Sequence, residues 1–295
     1  MKPRVSDFSA ILFAVMGFTF WVLGDSCIKW IGQYQLPPQQ IVAFMGFFMA
    51  LTIALQAAAR RRTANLRPRS VWRQGMRALL DMTNNICVVI ALRHLSLTMF
   101  YILVFLSPLT IAALSRAFLG ERIGAKKALA LVVGFGGVVV AVEPWSHAAR
   151  VDLTGLLACM ICVACFSVNM VWSRVLTRTE PPESLAFCSG VVTCVAGLAL
   201  TSLHPAPMSP VLWLAAIAMG VFCACGTLSF YVAVKYTSAS NVSQYHYTQL
   251  VTGAIVSYAV WRDKPAAAML VGGAMILGSG VMIAWEAKKA SVRSS

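Results

Sequence analysis

Residues 91–122 read ALRHLSLTMFYILVFLSPLTIAALSRAFLGER, and residues 233–264 read AVKYTSASNVSQYHYTQLVTGAIVSYAVWRDK. Laid over each other at an offset of 142, they need no gap. The identities are few: Ala91/Ala233, Ser96/Ser238, Thr110/Thr252, Ala112/Ala254, Ser115/Ser257 and Ala117/Ala259. The punctuation matches more closely. Arg93 and Lys235 each precede an apolar run, Glu121-Arg122 and Asp263-Lys264 each follow one, and Gly136 meets Gly278 farther on. The chain therefore reads as two related halves, residues 1–146 and 147–295.

Composition sets the solvent. Of 295 residues 59% are hydrophobic and 12% charged, with a mean hydropathy of +0.76. That charge is too sparse to cover a water-soluble domain, so the chain belongs in a bilayer. A crossing takes about 20 apolar residues for roughly 30 Å of hydrocarbon. Ten segments meet the need: 8–30, 38–59, 75–92, 97–118, 125–142, 153–175, 184–203, 210–233, 238–261 and 266–285. Five spans per half is an odd number, so the second half enters the membrane the other way up. The expected fold is all-α and integral to the membrane, with ten transmembrane helices in two inverted five-helix repeats around a central cavity. Little chain remains for a soluble catalytic domain.

The net charge of +14 is placed unevenly. With the N-terminus inside, eighteen Lys and Arg fall on the cytoplasmic side and four outside (Arg93, Arg150, Arg262 and Lys264), while Lys29 and Arg77 lie within spans. This is the positive-inside imbalance, and it predicts a multi-pass protein of the cytoplasmic (inner) membrane with both termini cytoplasmic. The basic run ARRRTANLRPRSVWR (59–73) is then a topogenic loop, and no nucleic-acid partner is expected. The first span lacks a small-x-small cleavage site and is read as retained. All nine cysteines fall in spans, so no disulfide framework is expected. Cys159, Cys162 and Cys165 in CMICVAC have no His or carboxylate beside them and read as packing residues; no metal or cofactor is expected.

MRALL (76–80), ALRHLSL (91–97) and LSPLTIAALSRAFLGERI (106–123) resemble the drug/metabolite transporter superfamily, and within it the EamA-domain carriers of amino-acid and metabolite exporter type. The resemblance covers essentially the whole chain. The second half departs from the motif, with Leu250 in place of the proline and Arg262-Asp263 in place of Gly-Glu. What the resemblance implies is a cavity lined by helices of both repeats and transport of a small organic solute.

Polar side chains at membrane depth are costly, which makes them the candidate site. In WVLGDSCIKW (21–30) Asp25 and Lys29 share a helix face and can pair. In GMRALLDMTNN (75–85) Arg77 and Asp81 repeat that spacing, and Asp81, Asn84 and Asn85 stack along one face. These two pairs are candidate gating contacts. SASNVSQYHYTQLVTG (238–253) crowds Gln244, His246, Tyr247 and Gln249 into less than two turns, with Tyr245 beside them. His246 is placed to couple transport to protons. Trp21, Tyr101, Asn169, Trp172, Phe230 and Tyr231 supply rings and an amide suited to an amphipathic or aromatic solute. Trp261 and Trp285 at span ends fit an interfacial belt.

The expected activity is secondary transport of a small organic metabolite, an amino acid or other amphipathic or aromatic solute, outward by alternating access. The alternatives are an integral-membrane enzyme and a structural membrane subunit. No H-E-x-x-H helix, serine-hydrolase elbow or Walker A sequence occurs. Prenyl-transfer chemistry would want Asp-rich pairs, and only Asp25 and Asp81 lie deep in spans. A structural subunit has no need of polar faces on three helices. No enzyme activity is expected, and the functional unit is a monomer or weak homodimer.

Overall fold

The computed structural model describes all residues except 1–6, 35, 108–109, 112–113, 115–124, 143–151, 202–204, 237–241, 243–244, 247, 265 and 294–295. The described α-helices are α1 (Asp7–Gly32), α2 (Pro38–Ala59), α3 (Val71–His94), α4 (Leu97–Val104), α5 (Ala125–Val142), α6 (Leu153–Leu176), α7 (Pro182–Leu200), α8 (Pro210–Tyr236), α9 (Thr248–Trp261) and α10 (Ala267–Arg293). Six of them, α1–α3 and α6–α8, are long and apolar enough to cross a membrane.

Local chemistry starts the helices. Proline opens α2 and α7, where its missing N–H costs nothing. Ser96 caps α4 by accepting the Met99 N–H at 3.1 Å. Asp152 caps α6 by accepting the Thr154 N–H at 2.7 Å, and its other oxygen meets His94 Nδ1 at 2.8 Å. Those contacts hold the exposed Asp152 carboxyl below the usual carboxylate range, the His94 bond most of all. At the opposite face, buried Glu180 accepts the backbone N–H groups of Arg69 at 3.0 Å and Ser70 at 2.9 Å, fixing the approach to α3.

Leu12, Phe47, Leu55, Val195 and Leu214 point outward and exposed, as suits a bundle whose solvent is lipid. Helix α4 is the inverse case. Every residue from Leu97 to Val104 is buried, so it is apolar all round and wrapped by its neighbours.

Close approach of the backbones needs glycine. A Cβ on Gly46 of α2 would lie 2.2 Å from the backbone nitrogen of Cys194 on α7, and one on Gly197 of α7 would lie 2.3 Å from that of Ala43 on α2. Backbone cannot yield as a side chain does. Gly46→Val is therefore expected to cost about 1–3 kcal/mol through forced separation of α2 and α7. A thermal-unfolding midpoint in detergent equal to the parent's would contradict this packing.

The most extensive interhelical packing joins α1 with α8, α3 with α6, α2 with α7 and α5 with α10. Smaller contacts join α2 with α8, α3 with α7, α1 with α9, α4 with α6 and α4 with α9. Raising each helix number by five, and wrapping past ten, turns this set of pairs into itself.

Two spans depart from the expected continuous helix. Helix α4 ends at Val104 and the chain turns at Phe105 and Leu106, inside the expected span 97–118. In the expected span 238–261, the chain turns at His246 before α9 begins at Thr248. At the offset of 142, Phe105 and Leu106 fall on positions 247 and 248, so the two breaks lie within two positions of each other.

Candidate functional site

A cavity of about 880 Å³, counted with its opening, lies among α1, α2, α3, α4, α6, α8 and the segment leading into α9. Trp21, Asp25, Asp81, Asn84, Asn85, Tyr101, Asn169, His246 and Gln249 all line it. Phe230 and Tyr231 line it too. The halves' offset of 142 also recurs in the walls: it carries Val104 onto His246 and Ser107 onto Gln249, and all four face the cavity.

Asp25 does not pair with Lys29. The Tyr101 hydroxyl donates to Asp25 Oδ2 at 2.7 Å, and Lys29 Nζ instead donates to the Leu95 carbonyl at 2.9 Å. Its ammonium also sits 5.5 Å from the centre of the Trp261 ring. The correction has a steric and an electrostatic reason. Tyr101 is only 1% exposed, and its ring fills a niche on Gly253 where any Cβ would come within 2.3 Å of it. The carboxylate thus has a donor already. The longer lysine reaches toward the α3–α4 junction, where the Leu95 carbonyl accepts it.

Arg77 and Asp81 do pair, at 3.6 Å, inside a larger knot. Arg77 is 0% exposed. Its Nη2 donates to the Leu185 carbonyl at 2.8 Å and to Ser189 Oγ at 2.9 Å, and its Nη1 donates to the Tyr231 hydroxyl. Asp81 accepts from Asn169 Nδ2 at 2.8 Å, and Asn169 accepts from Ser173 Oγ at 3.0 Å. A buried cation is tolerable only with such partners. One arginine fork thereby binds α3 to α7 and α8, while its carboxylate binds α3 to α6.

The two mid-span amides both line the cavity and tie helices together. Asn85 Nδ2 donates to Thr193 Oγ1 at 3.1 Å, and Asn84 Oδ1 accepts from the Cys162 thiol at 3.1 Å. Each ties α3 to a neighbouring helix while half-buried on the cavity wall. Among the three cysteines of CMICVAC, Cys159 donates to the Phe100 carbonyl at 3.8 Å, so both it and Cys162 act as small interhelical donors.

An aromatic box closes one side. Trp21 lies 5.0 Å from Phe230, 5.7 Å from Phe18 and 6.0 Å from Phe166, ring centre to ring centre. Its Nε1–H donates to Thr227 Oγ1 at 3.1 Å, which fixes the indole. His246 is buried against Phe18 at 4.6 Å, Phe166 at 5.2 Å and Phe105 at 5.9 Å. Gln249 donates to the Phe18 carbonyl at 3.2 Å.

Trp172 is not brought to the cavity. It is half-buried and packs against the core outside the cavity lining. Gln244 and Tyr247 lie outside the described residues. Sequence reading missed Met45, Met49, Phe166, Thr227 and Cys223 on the wall. Only Thr227, a hydroxyl in an apolar helix, offered a signal; the others are ordinary span residues.

Comparison with known proteins agrees with this architecture. The EamA-like transporter family matches residues 8–142 and again 153–285. A riboflavin transporter of Brucella anthropi is 25% identical over 86% of this chain and 91% of its own length. The pseudopaline exporter of Pseudomonas aeruginosa is 26% identical over 91% of this chain and 93% of its own. An S-adenosylmethionine uptake transporter of Rickettsia felis is 27% identical over 64% of this chain and 63% of its own. A solved crystal structure superposes with a TM-score of 0.70 at 20% identity, covering 96% of this chain and 99% of that one. The chain is a multi-pass membrane protein of the EamA-like transporter family, a drug/metabolite carrier and not an enzyme.

Proposed function

We propose that this protein is a secondary transporter that moves a small amphipathic or aromatic metabolite, an amino acid or a compound of similar build, outward across the cytoplasmic membrane. It works by alternating access between two inverted five-helix repeats, residues 1–146 and 147–295, as a monomer or weak homodimer with both termini inside. The observation that carries the reading is a cavity at membrane depth whose walls come from both halves and mix amides, carboxylates and rings. The packing pairs that map onto themselves when helices are renumbered by five support the repeat. So do the two breaks near Phe105 and His246, which fall within two positions of each other in the aligned halves and are the kind of discontinuity carriers use at the midplane. The outward direction rests on the likeness to the pseudopaline exporter. The absence of a Walker A sequence leaves an ion or solute gradient as the drive.

The cavity-lining residues are proposed as the solute site, and the Arg77–Asp81 knot as the cytoplasmic gate. Flux into and out of liposomes of known protein orientation, measured against amino acids, nucleosides and flavins, tests both solute class and direction. Asn85→Ala and His246→Ala are expected to lower the rate at least tenfold, since each removes a wall group, whereas Trp172→Ala leaves it near the parent value. Normal flux in the first two, or loss only in the third, contradicts the site.

A further inference from the structure

We infer that the solute carries a positive charge, seated against Asp25 beside the aromatic box; the inference rests on the carrier reading and deepens it. The argument is a census of charge. Among the described lining residues there is no lysine or arginine, and the carboxylates are Asp25 and Asp81. Asp81 is matched by Arg77 behind the wall. Among the described residues, the hydrogen-bond partner of Asp25 is the neutral Tyr101 hydroxyl. Lys29, four residues on and the obvious counter-ion, is turned away to the Leu95 carbonyl, and Asp263 is the acid whose charge acts on it. The imidazole of His246 is packed among three rings. Asp25, when ionised, is therefore the cavity carboxylate left without a cation among the described lining residues.

A buried carboxylate without a cation either takes up a proton or is answered by a ligand's positive charge, and a cationic ligand favours its ionised form. Asp25 is only half-buried, and the space it faces is the cavity. Trp21 stands one helical turn before Asp25 on the same face, and with Phe230 and Phe166 it offers ring faces, which also attract cations. Carboxylate and rings together select an amine or other onium group joined to an aromatic or apolar body. An anionic solute meets an unfavourable field, and a neutral one leaves Asp25 unanswered.

A native reporter sits beside the site. Cys223 lines the cavity, and its Sγ is 2.8 Å from where a Cβ on Gly24, the neighbour of Asp25, would lie. In a background with the other cysteines replaced by serine, Cys223 is labelled with methanethiosulfonates bearing a trimethylammonium, a sulfonate or only a methyl group. The ratio of cationic to anionic rates, divided by that for a free thiol, reads the local potential, and any change in thiol ionisation cancels. Excess reaction with the cationic reagent is expected, and Asp25→Asn should lower the ratio roughly tenfold, as loss of one nearby charge in a partly wet site requires. A ratio equal to that of the free thiol, or one that Asp25→Asn leaves unchanged, overturns the inference while the carrier reading stands. Failure of even the neutral reagent to react removes the aqueous cavity and both readings with it. Should the cysteine-depleted chain not fold, thermal shifts of the unaltered protein with tryptamine, tryptophol and indole-3-acetate decide instead. Tryptamine should bind tightest and Asp25→Asn should reduce it to the level of tryptophol. Equal binding of the three, or binding by none, goes against the proposal.

Discussion

Arg77→Ala is expected to destabilise the folded protein by about 3–5 kcal/mol, the cost of breaking a buried ion pair by removing one partner. Arg77 is wholly enclosed and answers four groups on three helices: Asp81, Leu185, Ser189 and Tyr231. Its removal leaves Asp81 with the Asn169 amide but no cation, and takes one donor each from the Leu185 carbonyl and the hydroxyls of Ser189 and Tyr231. The charge is the dominant loss, and a double-mutant cycle isolates it. Arg77→Ala with Asp81→Asn should be more stable than Arg77→Ala alone, because the second change withdraws the uncompensated carboxylate. Arg77→Lys should fall between, since an ammonium keeps the charge but has its three donors on one nitrogen and cannot span the partners that Nη1 and Nη2 reach separately. Unfolding midpoints in one detergent read all three. A double variant no better than the single would mean that lost hydrogen bonds, not the stranded carboxylate, account for the cost.

The knot also illustrates how much of the molecule was legible beforehand. The i, i+4 spacing of Arg77 and Asp81 announced a pair, and the structure has it. The same spacing at Asp25 and Lys29 announced a pair that does not form, because spacing along one helix says nothing of competitors on others. Tyr101, seventy-six positions away, reaches Asp25 first, and the Leu95 carbonyl takes Lys29. Long-range hydrogen bonds of this kind leave no periodic trace. Class was legible for the opposite reason: hydropathy is a sum over many residues, and six helices long and apolar enough to cross emerge from it directly. The break in the fourth expected span escaped notice because the segment is apolar enough to read as continuous, and that in the ninth because its polar cluster reads as a helix face turned to the cavity. The wall of α2 escaped as well. Met45 and Met49 face the cavity, yet methionine in a span is ordinary lipid-depth sequence, and only packing against α8 and α3 turns those two inward.

The aromatic box leads to the largest expected effect on solute handling. Trp21 contacts Phe18, Phe166 and Phe230 and is pinned by Thr227, so its indole is preorganised and little ordering entropy opposes its use in binding. A rigid ring central to a desolvated pocket is where binding energy concentrates, at about 2 kcal/mol or more per residue. Trp21→Ala should therefore weaken an aromatic solute about thirtyfold, read as a shift in the half-saturating concentration for flux or binding, with Trp21→Phe retaining most of the affinity because a ring face remains. The indole can also be displaced without being removed. A Cβ on Gly226 would lie 2.5 Å from the Trp21 ring and 3.0 Å from the Gly17 carbonyl oxygen, so Gly226→Val pushes the indole from its seat without substituting any polar wall group. Loss of affinity in Gly226→Val comparable to that in Trp21→Ala ties the effect to the position of the ring. Wild-type affinity in Trp21→Ala would exclude the box from solute binding and leave recognition to the polar groups of the wall.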